Sequence, residues 1–138
     1  MSDLVNRPRR LRFNPVLRDL VAEARLDPRL FVMPHFVLRD PQRVEDIAAM
    51  PGIQRQGIEP LLKTVESDLK LGIRSVLLFG VPGDDEPKHP DGRGAYDENA
   101  LIPQAVAALK KRFGSDLLVI TDVCLCAYTD HGHCGVIK

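Results

Sequence analysis

Three largely apolar runs, Leu30 to Val37 (broken only by Pro34 and His35), Ser75 to Gly80 and Leu117 to Val123, constrain this chain more than any other feature. None alternates apolar with polar residues, so each reads as a strand buried on both sides. Between them lie two stretches of helical period. Ile58, Leu61, Leu62, Val65 and Leu69 share one face opposite Lys63, Glu66 and Lys70, with Gly72 placed to cap the end. Asn99 to Phe113 repeats the pattern with Ile102, Val106, Leu109 and Phe113 inward and Gly114 as the stop. Strand, helix, strand, helix, strand implies an α/β fold: a parallel sheet covered by helices on both faces. Three strands and two crossover helices are less than half of an eight-stranded barrel.

The flanking segments are less regular. Residues 1 to 13 carry Arg7, Arg9, Arg10 and Arg12 against the single acid Asp3, and read as an extended arm. Asn14-Pro15 starts a helix, with Leu17, Leu20, Val21 and Ala24 at helical spacing and an expected end before Pro28. The arm and this helix, residues 1 to 28, form one expected unit, and residues 29 to 138 a second that holds the strands. Residues 38 to 57 are punctuated by Pro41, Pro51, Gly52 and Gly57, and allow at most a short helix over Val44 to Met50. Val81 to Glu98 is a polar loop rich in Pro and Gly, of a length usual for a lid, a binding element or a disordered segment, and its Asp84, Asp85 and Glu86 read as a solvated acidic turn rather than a cation site.

Composition removes several classes of function. Lys plus Arg and Asp plus Glu both total 19, so no net field draws the chain to nucleic acid or to an acidic membrane. No glycine-rich phosphate loop follows a strand, which leaves nucleotide binding without support. No apolar run approaches the roughly 18 residues of a membrane span, and the N-terminus does not open a secretory signal, so a cytoplasmic protein is expected.

The chemistry concentrates in Asp122-Val-Cys124-Leu-Cys126-Ala-Tyr128-Thr-Asp130-His131-Gly-His133-Cys134-Gly135. If the strand stays extended to its end, Asp122, Cys124 and Cys126 project to one side. The seven residues that follow, with Gly132 and Gly135, let the chain return and offer Cys134 as a third sulfur. Three thiolates favour zinc over magnesium or calcium and leave a fourth position open, as in a catalytic site. On spacing alone, a closed site completed by His131 or His133 stands nearly level with the open one. Three unrelated buried cysteines are a poorer fit, because the segment is polar and carries two His and two Gly. Asp122 stands either as an ordinary turn cap or as a functional acid at the end of a parallel strand, where such folds build their sites.

This segment closely resembles the metal loop of the zinc-dependent porphobilinogen synthases, also called 5-aminolevulinate dehydratases. Arg7-Pro-Arg-Arg-Leu-Arg12 with Pro15-Val-Leu-Arg18 resembles the N-terminal arm of the bacterial members. Met50-Pro-Gly52, Gly72-Ile-Arg-Ser-Val76 and Phe79-Gly80 match further stretches in order. The likeness covers the whole chain and about the first two fifths of a family member, which is a TIM barrel of eight strands preceded by an arm.

The resemblance implies a lyase that condenses two molecules of 5-aminolevulinate into porphobilinogen, with loss of two waters, on the route to haem and other tetrapyrroles. It implies zinc held by Cys124, Cys126 and Cys134, and Asp122 as a catalytic residue helping proton transfer. It further implies His133 as a ligand of an additional zinc, an allosteric magnesium in full-length members, and a homo-octamer assembled through the arm. The family's Schiff bases form on two lysines of later strands. Lys63, Lys70, Lys88, Lys110, Lys111 and Lys138 lie on expected helix surfaces, in the polar loop or at the end, so the chain alone is expected to be inactive. The competing expectation is a non-catalytic zinc-binding or regulatory module, which needs four fixed metal ligands and a fold complete in this length.

Overall fold

The computed structural model describes residues 8–83 and 88–135. Arg7, the acidic cluster Asp84 to Glu86 and Lys138 lie outside them. Among the described residues five strands form one sheet: β1 (Val32–Leu38), β2 (Val44–Asp46), β3 (Gln54–Gln56), β4 (Ser75–Val81) and β5 (Leu118–Thr121). Their order is β2-β3-β1-β4-β5, with every pairing parallel except the antiparallel pair β2 and β3. The helices are α1 (Pro15–Leu20), α2 (Ile58–Lys70) and α3 (Leu101–Phe113). It is a mixed α/β sheet.

The apolar runs become β1, β4 and β5 because each buries one set of side chains under the helices. Val37, Val76 and Leu78 are fully buried against Leu61 and Val65 of α2 and Ala105 and Leu109 of α3. Helix α2 ends as its sequence implies: Gly72 takes a positive φ of 88°, its N–H reaches Leu69 O, and the Ile73 N–H reaches Asp68 O. That pair of bonds is the Schellman closure for which glycine is suited. Gly114, with φ 55°, stops α3.

The expectation of helices on both faces is corrected. Helices α2 and α3 share one face and one core. The sheet grows from β1 to β4 to β5 in a single direction, so two right-handed crossovers deposit both helices on the same side. The opposite face carries Phe36 stacked on Phe79, with ring centroids 5.4 Å apart.

Two further expectations fail locally. Residues Val44 to Met50 are not helical: Val44–Asp46 pairs with Gln54–Gln56, and the connecting turn has the Ile53 N–H on Met50 O with Gly52 at φ 84°. Pro51 followed by a left-handed Gly52 is the chemistry of a type II turn. The strands Val-Glu-Asp and Gln-Arg-Gln hold few apolar residues, and their side chains pair across instead: Gln54 Nε2 donates to Asp46 Oδ1 at 2.8 Å, and Arg43 and Arg55 flank Glu45. Helix α1 begins as read, with Asn14 Oδ1 accepting the Leu17 N–H at 2.8 Å, and ends before Pro28, but it stops at Leu20 and leaves out Val21 and Ala24 of the expected helical spacing. Leu20 and Val21 are exposed, so nothing among the described residues rewards the helical periodicity beyond that point. Within the described part of the arm, residues 8–13, Arg10–Arg12 form a single exposed 3-10 turn.

Candidate metal centre

Strand β5 ends at Thr121, two residues earlier than the apolar run, and the chain then turns. The Tyr128 and Thr129 N–H groups both donate to Leu125 O, at 2.9 and 3.2 Å, so Cys126 sits in a turn and not in an extended strand. The strand alternation expected to align Asp122, Cys124 and Cys126 therefore does not operate; folding of the loop does the gathering. Gly132 and Gly135, with φ 72° and 91°, carry the chain back.

The outcome for the sulfurs is still convergence. Cys134 Sγ lies 3.4 Å from Cys124 Sγ and 3.1 Å from Cys126 Sγ, and all three sulfurs fall within 4.8 Å of one another. Around a tetrahedral zinc with bonds of about 2.3 Å, neighbouring sulfurs stand about 3.8 Å apart. Opening the two Cys134 separations by about 0.4 and 0.7 Å reaches that spacing, so the donor set suits such an ion. No other His, Cys, Asp or Glu among the described residues joins this group.

The thiols polarise one another. Cys134 is held down to about 7, chiefly by the Cys126 thiol beside it and then by the Leu125 N–H, which points at its sulfur from 3.4 Å. Cys126 is pushed up to about 12, mainly through its hydrogen bond with Cys134 and next through that with Cys124. Two of the sulfurs, those of Cys124 and Cys134, are on exposed residues, which gives an ion and a ligand access.

Asp122 is exposed at the end of β5, its N–H on Leu78 O at 3.3 Å. Its Oδ1 accepts the Cys124 N–H at 3.3 Å, so this carboxylate does act as a turn cap beside the first sulfur. His133 is exposed and stacks on His131, centroids 6.2 Å apart, outside the sulfur group. His131 Nδ1 accepts the His133 N–H at 3.2 Å. Neither imidazole completes the three sulfurs. Asp122, Cys124 and Cys126 also border a cleft of about 730 Å³ that Ile102 and Val106 of α3 line as well.

The cysteine loop is packed from beneath. Thr129 is completely buried, and Tyr128 reaches Gly80, where any side chain would meet its hydroxyl. Gly92 underlies Leu125 and Thr129, Gly94 underlies the Tyr128 ring, and the His89 N–H donates to Tyr128 O at 3.2 Å. The polar loop expected to be a lid or binding element thus supports the cysteine loop from beneath. A glycine at the end of a buried strand, as at Gly80, was the available sign of close approach.

A family model described as delta-aminolevulinic acid dehydratase matches residues 5–138. The chain belongs to that family. The Helicobacter pylori delta-aminolevulinic acid dehydratase is 43% identical over 138 residues, spanning 98% of this chain and 41% of the relative. The Ruminiclostridium josui enzyme of the same name is 39% identical over 137 residues, 98% of this chain and 64% of its own length. Among solved structures, the Toxoplasma gondii delta-aminolevulinic acid dehydratase, in complex with the reaction product porphobilinogen, superposes with a TM-score of 0.86 at 38% identity. That match covers 99% of this chain and 38% of the solved one. The chain thus spans about two fifths of the length of several family members, and a larger share of the Ruminiclostridium josui relative.

Proposed function

We propose that this chain is the N-terminal part of a zinc-dependent porphobilinogen synthase, a hydro-lyase that condenses two 5-aminolevulinate molecules into porphobilinogen with loss of two waters. The observation that carries the reading is the convergence of Cys124, Cys126 and Cys134 just beyond the C-terminal end of β5, in a chain of this family. Sites of parallel α/β folds are built at that end.

The three thiolates would hold zinc, which when bound supplies Lewis-acid polarisation of a substrate oxygen. Asp122, which lines the cleft beside Cys124, would exchange a proton with a substrate bound there. The Cys124 N–H on its Oδ1 fixes the carboxylate while its other oxygen stays available. Ile102 and Val106 line the same cleft and make part of its surface apolar. Lys63, Lys70, Lys88, Lys110 and Lys111 are all exposed, and Lys110 is engaged by the carbonyls of Gly114 and Leu117. None is desolvated in the manner that frees an amine for Schiff-base chemistry. The two reacting lysines are therefore assigned to strands outside this chain.

The same reading takes residues 1 to 28 as arm and short helix, and residues 29 to 138 as the opening part of a TIM barrel. Among the described residues β5 pairs only with β4, so its outer edge is open to a further strand. The arm arginines suit carboxylates of a neighbouring subunit in a homo-octamer. His133 is assigned to an additional zinc and magnesium to an allosteric role; the location is cytoplasmic. Among the described residues no helix is long and apolar enough to cross a membrane. A closed, four-ligand zinc module loses support because, among the described residues, no fourth side chain joins the sulfurs.

The test is complementation. This chain and a polypeptide carrying the rest of a family member are purified apart, mixed with zinc and assayed for porphobilinogen. Activity of the mixture with none from either part supports the proposal. Product formed by this chain alone, or a mixture inactive despite association, overturns it.

A further inference from the structure

The three sulfurs sit on a loop with glycine at 132 and 135, and glycine adds backbone freedom that must be removed to fix a donor. Cys134, Gly132 and His133 are exposed, so packing does not restrain the returning limb. One residue of the loop is different. Thr129 is 0% exposed, while Cys124, Asp130 and Cys134 around it face solvent.

Every polar group of Thr129 is spent on the limbs that carry the cysteines. Its N–H donates to Leu125 O at 3.2 Å, between Cys124 and Cys126. Its carbonyl accepts the Gly132 N–H at 3.3 Å. Its Oγ1 donates to His133 O at 2.9 Å, and His133 immediately precedes Cys134. Its methyl rests over Gly92, which holds a left-handed φ of 63° and has no side chain to push it away. Thr129 thus joins the outgoing limb, the returning limb and the supporting loop.

We propose that Thr129 is a positioning residue for the three-sulfur site, its hydroxyl fixing the third sulfur through the His133 carbonyl; this rests on the metal reading above. Groups that hold metal ligands from behind typically contribute ten- to hundredfold to metal affinity. The hydroxyl and the methyl of Thr129 have separable jobs, and two substitutions part them. Thr129→Val keeps the methyl contact with Gly92 and removes the hydroxyl; Thr129→Ser does the reverse.

The experiment titrates the chain and both variants with Co2+ alone, reading the sulfur-to-cobalt absorption and the affinity against a competing chelator. Circular dichroism of the metal-free chains reports folding. The expected result is affinity in Thr129→Val lower by tenfold or more with an altered cobalt spectrum, and Thr129→Ser close to the parent in both. Equal affinities and spectra in parent and Val variant overturn the role of Thr129. So does a Ser variant as weak as or weaker than the Val variant, since that order marks a packing role only. A parent chain that takes up no cobalt overturns the metal reading itself, which separates the two failures.

Discussion

His35 Nε2 lies 2.9 Å from Asp68 Oδ2, and both side chains are buried where β1 meets α2. A polar contact at that depth sets register: only one placement of the helix over the strand satisfies both groups. Removing one partner leaves the other buried and unsatisfied, at a cost of about 1–3 kcal/mol. Asp68→Ala should therefore lower stability to urea by that amount, against a few tenths for a surface change such as Glu59→Ala. Equal effects would show that the pair does not tie the elements together.

The same imidazole makes stability depend on pH. Burial pushes His35 below its ordinary value of 6.5, against the upward pull of the Asp68 carboxylate. On acidification the unfolded chain takes up this proton first, so the contribution of neutral His35 is complete above 6.5 and is lost as the pH falls through the folded value. Urea midpoints measured from about pH 8 to about pH 5 should decline in the parent and decline less in His35→Asn. A parent midpoint that rises on acidification over that range would contradict the sign.

In the metal-free chain the three thiols should react unequally. Cys134, at about 7, exposes a thiolate at neutral pH, whereas Cys126, at about 12, does not. Substoichiometric iodoacetamide followed by peptide mapping should find the label first at Cys134 and last at Cys126. Uniform labelling would mean that the sulfurs do not share protons as their spacing implies.

Metal uptake should fail with any one sulfur gone. Cys124→Ser, Cys126→Ser and Cys134→Ser should each lose more than the roughly hundredfold expected of a supporting residue. Affinity should also fall as the pH is lowered, because thiols must shed protons to bind. Chelator competition measures both, and a single Ser variant retaining parental affinity would exclude that sulfur as a ligand.

Gly57 is closely covered: a Cβ there would overlap the carbonyls of Asp40 and Pro41. Gly57→Ala should cost about 1–3 kcal/mol, as overpacking against backbone does. Thermal unfolding would detect it, and an unchanged midpoint would mean that the loop over α2 yields freely.

The elements legible in the sequence were those with long-range reward for their period. Leu61 and Val65 of α2, and Val76 and Leu78 of β4, appear in the sequence as apolar positions and in the fold as the core. The β2–β3 hairpin was not legible, since its stabilising contacts are among Glu45, Asp46, Gln54 and Arg55, residues equally at home in a loop. At the site, residue types and order announced three sulfurs. What spacing could not foretell was that a turn about Leu125, rather than strand alternation, would bring them together, or that Thr129 would be buried beneath exposed neighbours.

The contacts of Tyr128 and Thr129 with Gly80, Gly92 and Gly94 set a limit on portability. A peptide of residues 122–135 spliced into another scaffold would bring the donors without the floor that shapes them. Anyone borrowing this centre for a designed protein must transplant two distant pieces of chain along with it, and keep them bare of side chains.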